Sequence, residues 1–130
     1  LLCKDEKHED AIKEFENILR ICIISPTEKM SILLNLGNAY YSLSQNDKAL
    51  ENYNASLMMT EKVDKKDVLE GKASDLGNIG LIYSDKGDLD NALKYLRKAL
   101  EVLERFNLIY GKEIIKNEIN FIERKKQGIF

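Results

Sequence analysis

Apolar residues return at spacings of three and four along almost the whole chain, the period of helices that bury one face. Ala11, Phe15, Ile18, Leu19 and Cys22 form the first such stripe and place a helix within residues 1–25. Asp5, Glu6, Glu9 and Asp10 stand at or before its first turns, where the helix dipole favours negative charge. Ser25-Pro26 should end it, because the residue before a proline avoids the helical region. Ser25 or Thr27 can cap a second helix running to about residue 43, with Ile32, Leu33, Leu36, Ala39, Tyr40 and Leu43 inside. Ser44, Gln45, Asn46 and Asp47 make a turn. A third helix over roughly 47–63 buries Ala49, Leu50, Tyr53 and Leu57, with Met58 and Met59 filling gaps at its end.

The charged stretch 62–66 predicts a break before a fourth helix, about 67–85. Gly71, Gly77 and Gly80 lie inside it, each costing up to about 1 kcal/mol relative to alanine. Close approach of the paired helix at small Ala92 is the expected reason for Gly80. For Gly71 and Gly77 the expectation is an irregularity or an open surface. Gly87 suits the left-handed residue after a helix end, and Asp88 suits the cap of a fifth helix to about residue 105. That helix buries Leu89, Ala92, Leu93, Leu96, Ala99, Leu100 and Leu103. Asn107 breaks the pattern. A last amphipathic helix, about 109–126, buries Ile115, Ile119 and Ile122, and ends in Arg124, Lys125 and Lys126, which complement its dipole.

Two stretches of this pattern are near copies. Residues 33–57 and 76–100 align with an offset of 43, so that Gly37, Tyr40, Ala49 and Asn35 match Gly80, Tyr83, Ala92 and Asn78. Such a period marks a helical repeat, in which no unit buries its apolar face alone and neighbours must stack. Leu36-Gly37, Tyr40, Ala49 and Tyr53, with Ile79-Gly80, Tyr83, Ala92, Leu96 and Ala99, resemble the tetratricopeptide repeat signature W-x2-L-G-x2-Y followed by A-x3-F. Ala11, Phe15 and Ile18 repeat the spacing of Ala49, Tyr53 and Ser56, and Leu2 falls where the tyrosine of each copy stands. The first repeat therefore lacks most of its first helix. Leu33 and Leu76 replace the leading tryptophan, the late proline is missing, and the period is 43 rather than about 34 residues. The resemblance is to the longer-period type, about 40 residues per repeat, with extra turns on the helices.

What the resemblance implies is an all-α fold, an α-α superhelix or helical-hairpin solenoid of about five antiparallel helices. Residues 1–130 would form one repeat domain: a partial repeat 1–26, repeats 27–66 and 67–107, and a C-terminal capping helix 108–130. The first helix of each pair would line a concave groove. Its residues would be Ser31, Leu34, Asn35, Asn38, Tyr41 and Ser42, with Ser74, Asn78, Leu81 and Asp85 in the second copy, where Gly77 and Ser84 also fall. Asn35 and Asn78 stand out, because an amide both donates and accepts and so can pair with the backbone of an extended peptide. Leu34, Tyr41 and Leu81 would add apolar contact. The same residues also suit the ordinary surface of a module that acts only as a spacer.

Charge and composition narrow the classes. Twenty basic and 22 acidic residues give a net charge of -2, no field for nucleic acid or an anionic membrane. Hydrophobic residues make up 44% of the chain, enough for a continuous core. The longest apolar run, residues 21–24, falls far short of the ~20 residues that cross a bilayer. Cys3 and Cys22 are too few for a disulfide framework or a zinc site, and read as reduced packing residues of a cytoplasmic protein. No catalytic, cofactor or metal site is expected. His8 stands alone among charges, as a solvated surface residue. Gly71-Lys72-Ala73-Ser74 lacks the first glycine and the Ser/Thr after lysine of a phosphate loop, and the segment 85–90 lacks the closing glutamate of a calcium loop. Asn54-Ala55-Ser56 is a formal glycosylation sequon within a helix.

Leu1 is not an initiator methionine, so the expectation is a piece of a longer protein. The reading is a scaffold that binds a peptide segment or a partner helix in its groove. The alternative is a peptide-sensing regulatory domain joined to an effector such as a DNA-binding or kinase module, and an enzyme is the last choice. Open repeat ends would allow self-association.

Overall fold

The computed structural model describes residues 4–60, 66–109 and 111–128. They form six helices and, among the described residues, no strand: α1 (Lys4–Ile21), α2 (Pro26–Ser42), α3 (Asn46–Thr60), α4 (Lys66–Asp85), α5 (Leu89–Arg105) and α6 (Lys112–Gln127). The expected end of the third helix at Val63, the break at 62–66 except for Lys66, and Leu2 and Cys3 lie outside the described residues.

Local chemistry sets the helix boundaries. Ser25 is extended (φ -68°, ψ 157°); its Oγ accepts from the Glu28 N–H at 3.2 Å while Glu28 Oε2 accepts from the Ser25 N–H at 3.1 Å. This reciprocal cap, with Pro26 in the first turn, commits Ser25 to the start of α2. α1 consequently stops at Ile21, four residues short of the expected limit. The α2–α3 and α4–α5 turns are the same structure. Ser44 (φ 59°) and Gly87 (φ 81°) are left-handed, and the N–H groups of Gln45 and Asp88 bond back to the carbonyls of Tyr40 and Tyr83, each at 2.9 Å. These are the six-to-one bonds of a Schellman ending. Asn107 (φ 56°) ends α5 in the same way, with Leu108 N–H on Leu103 O at 2.7 Å. The start of α6 is delayed to Lys112 by left-handed Gly111.

The chain divides at residues 61 and 62 into two compact units. In the first, Ile12 of α1 packs with Leu36 and Ala39 of α2, backed by Phe15, Leu19, Ile32, Tyr40 and Leu43. α3 closes on α2 through Tyr53, which is fully buried, and through Ser56, whose hydroxyl donates to the Met30 carbonyl at 3.4 Å. In the second unit Ala92, Leu93 and Leu96 of α5 form a cluster with Ile119 and Ile122 of α6. A further cluster joins Leu69 and Ala73 of α4 to Leu103 and Leu108. Arg97 and Glu123 pair at 2.7 Å across the α5–α6 surface.

Four expectations need correction. Cys22 is exposed, not part of the α1 stripe, because the helix has already ended; buried Ile12 takes that role. Met58 is exposed and fills no gap. The close approach at Gly80 is to Leu96: a Cβ there would lie 2.7 Å from Leu96 Cγ, with the Ala92 carbonyl oxygen next at 3.2 Å. Gly37 faces Tyr53 in the same way, at 2.5 Å from ring atom Cε1. Finally, Gly77 is buried, with the Ile115 Cδ1 of α6 3.7 Å from its Cβ position, whereas Gly71 has nothing within 4 Å.

Candidate functional site

The expected binding residues are those of the first-type helices, α2 and α4, that lie off the buried stripe. In the first unit Leu33, Leu36 and Ala39 of α2 are buried, which turns Ser31, Asn35, Asn38 and Ser42 outward as exposed residues, with Leu34 and Tyr41 half-buried between them. In the second unit Leu76, Ile79 and Ile82 of α4 are buried; Ser74 and Asp85 are exposed, and Asn78 and Leu81 half-buried. Within each unit the named residues therefore share one helix flank, as spacings of three and four require.

The residues differ in what they already bond. The Asn35 amide makes no hydrogen bond among the described residues. Asn38 is committed inward: its Oδ1 accepts from the Tyr53 hydroxyl at 2.6 Å, so the amide is held over the α2–α3 seam. A buried tyrosine needs a partner for its hydroxyl, and Asn38 is that partner. Beside this flank, Ile18, Ile24, Thr27, Glu28, Ser31 and Ile32 line an open apolar cavity of about 390 Å³. Neither Ile18 nor Ile24 was among the expected contact residues, although the apolar run 21–24 was visible in the sequence; Ile21 and Ile23 are exposed.

Tyr40, one of the repeat's signature residues, faces the preceding helix. Its hydroxyl donates to Glu16 Oε1 at 2.8 Å, and the Lys48 ammonium lies 5.5 Å from its ring centre. Burial, then the bond to Glu16 and the charges of Glu16 and Glu51, push its phenol up to about 12. In the second unit Tyr83 stacks on Tyr95 at 5.5 Å between ring centroids, with Lys98 5.4 Å from the Tyr95 ring. On the α5–α6 surface the Lys126 ammonium bonds Asp90 and holds its carboxyl below the usual range.

Asp75, fully buried on α4, escaped the sequence reading because it interrupts an otherwise apolar stripe. No group of three His, Cys, Asp or Glu side chains that could hold a metal occurs among the described residues. Among them, too, no helix is long and apolar enough to cross a membrane.

Comparisons with known proteins agree with this architecture. The family model described as tetratricopeptide repeat matches residues 28–105. Photosystem I assembly protein Ycf3 of Prochlorococcus marinus is 33% identical over 106 residues, covering 75% of this chain and 57% of that protein. The crystal structure of BtubC from P. vanneervenii superposes with a TM-score of 0.70 at 16% identity, covering 95% of this chain and 49% of that one. The chain thus spans about half the length of the proteins it matches, and the second likeness shows the fold alone. With the repeated glycine contact, the repeated turn and the family match all in place, the chain belongs to the tetratricopeptide repeat family of protein-interaction scaffolds.

Proposed function

We propose that this chain is a non-catalytic scaffold that binds a peptide segment, or a partner helix, of another protein along the outward flanks of α2 and α4. The observation that carries the reading is Asn35, an exposed amide with no hydrogen bond among the described residues, at the register position that Asn78 holds in the other copy. Donor and acceptor on one short side chain suit a peptide backbone, which offers both at every residue. Leu34 and Tyr41 on α2, and Leu81 on α4, stand half-buried and offer apolar area beside the amide of their own unit. A relative named for the assembly of a photosystem supports a role in bringing protein subunits together.

The test is a double substitution, Asn35→Ala with Asn78→Ala, assayed against peptides selected from a displayed random library. Each lost amide contact is worth about 0.5–1.5 kcal/mol, so affinity should fall roughly 5- to 150-fold. Helix content by circular dichroism should not change. An affinity equal to the parent's would remove these flanks as the binding surface.

A further inference from the structure

The same register extends one helix further than the two copies. Counting the 43-residue offset onward from Leu33, Leu36, Leu76 and Ile79 leads to Ile119 and Ile122 of α6, and all six side chains are buried. α6 therefore presents its apolar stripe as α2 and α4 do. The flank position of Asn35 and Asn78 becomes Phe121, that of Asn38 and Leu81 becomes Arg124, and those of Ser31 and Leu34 become Asn117 and Asn120. All four are exposed, Phe121 by 49%. α4 and α6 belong to one unit and are neighbours there, since Ile115 Cδ1 is 3.7 Å from the Cβ position of Gly77. Gly77 holds the place of Leu34, and α6 stands beside it at ordinary contact distance.

We propose that α6 carries the outward flank of α4 onward within the second unit, and that Phe121 and Arg124 there select an acidic segment in which a large apolar side chain stands beside a carboxylate. This rests on the peptide-binding reading above and names the chemistry of the ligand. The choice of occupant follows from charge. α6 carries five cations, Lys112, Lys116, Arg124, Lys125 and Lys126, against Glu113, Glu118 and Glu123. Glu123 is held by Arg97, Glu113 lies by Lys116 and Lys126 is held by Asp90. Arg124 and Lys125 keep no ionic partner among the described residues. A half-exposed aromatic ring three residues from an unspent guanidinium offers a hydrophobic anchor and a bidentate carboxylate site on one helix flank.

The experiment uses the full chain. Random twelve-residue peptides displayed on phage are selected against it, and enriched sequences are synthesised and titrated by fluorescence anisotropy at low and high salt. The expected peptides pair Asp or Glu with Phe, Leu, Ile or Met. Phe121→Ala and Arg124→Glu, both surface changes, should each weaken them about tenfold or more. For Arg124→Glu the salt dependence should flatten as well, and circular dichroism should match the parent. Basic or uncharged winners, or winners that bind both variants like the parent, overturn the proposal. If those winners still lose affinity in the Asn35→Ala, Asn78→Ala variant, the α2 and α4 reading survives and only the role of α6 fails. Enrichment of nothing overturns both. Concentration-dependent self-association abolished by Phe121→Ala, with no peptide displacing the second copy, assigns the face to another copy of the chain and overturns the peptide as occupant.

Discussion

Two glycines on one helix give opposite answers to the same substitution. Alanine in place of glycine in a helix interior gains about 1 kcal/mol of intrinsic preference. At Gly71 nothing lies within 4 Å of the added carbon, so Gly71→Ala should stabilise the protein by up to that amount. At Gly80 the carbon would stand 2.7 Å from Leu96 Cγ and 3.1 Å from its Cδ2, well inside the roughly 3.5–4.0 Å of normal carbon contact. Leu96 is 1% exposed and set among Ala92, Leu93, Ile119 and Ile122, and cannot swing aside. The Ala92 carbonyl oxygen, at 3.2 Å, is backbone and yields no more easily. Overpacking of this kind costs about 1–3 kcal/mol. The propensity gain offsets about 1 kcal/mol of that cost, which leaves Gly80→Ala less stable than the parent by up to about 2 kcal/mol.

The pair separates packing from propensity because helix, residue change and assay are shared. Thermal and urea unfolding followed at 222 nm should place Gly71→Ala above Gly80→Ala by about 1–3 kcal/mol, or on the order of 3–15 °C. Leu96→Ala removes the atoms struck by the new carbon. Combined with Gly80→Ala it should therefore cost less than the sum of the two single changes, a coupling of about 0.5–3 kcal/mol. Gly80→Ala as stable as Gly71→Ala, or strict additivity with Leu96→Ala, would refute the close contact as the reason for the glycine.

Two further outcomes follow from local geometry. Ser44 takes the left-handed conformation that Gly87 takes in the second copy; Ser44→Gly should stabilise the chain by roughly 1 kcal/mol, and Gly87→Ser should cost about as much, both read from urea midpoints. The Tyr40 phenol is raised in the folded chain to about 12 from about 10 unfolded, so its stabilisation is whole below pH 10 and is lost as pH rises towards 12. Compared by ultraviolet titration, Tyr40→Phe should lack a late tyrosine ionisation that the parent shows, and should lose its share of the alkaline loss of stability.

Much of this fold was legible because the repeat writes each feature twice. Gly37 with Gly80, and Tyr40 with Tyr83, point to the helix pairing, and the turn at 85–88 is readable from Gly87 and Asp88. The errors fall where a residue's role depends on something outside its own helix. Cys22 continues the spacing of α1 perfectly well, but Ser25 and Pro26 belong to the next helix and leave Cys22 in the connection. Gly80 announced a close approach without saying which residue of α5 approaches. Small Ala92 drew attention, and it is the long Leu96 that fills the space. The burial of Gly77 beside Ile115 depends on α6, which carries no copy of the Gly-Tyr signature and so gave no sign of sharing the register. Of the expected binding residues, all lie on their helix flanks, but the sequence could not show that Asn38 already has work inside the first unit.

Asn38 shows how the outward flank of α2 is tied to the core beneath it. In the first copy the residue packed against the repeat glycine is Tyr53, whose ring is buried and whose hydroxyl must end on an acceptor; the acceptor is Asn38, on the flank. In the second copy the glycine meets Leu96, which has no hydroxyl to satisfy, and the position of Asn38 is occupied by Leu81. The two substitutions belong together: a tyrosine beneath fixes a polar flank residue, and a leucine beneath releases the flank to be apolar. In α6 the glycine position is Glu123, turned to Arg97 of α5, and the flank residue there is Arg124, free to be a cation. One register position thus holds an amide in α2, an aliphatic side chain in α4 and a guanidinium in α6. At the first step the cause is the side chain that fills the space over the repeat glycine, so the surface of such a repeat is partly specified from within.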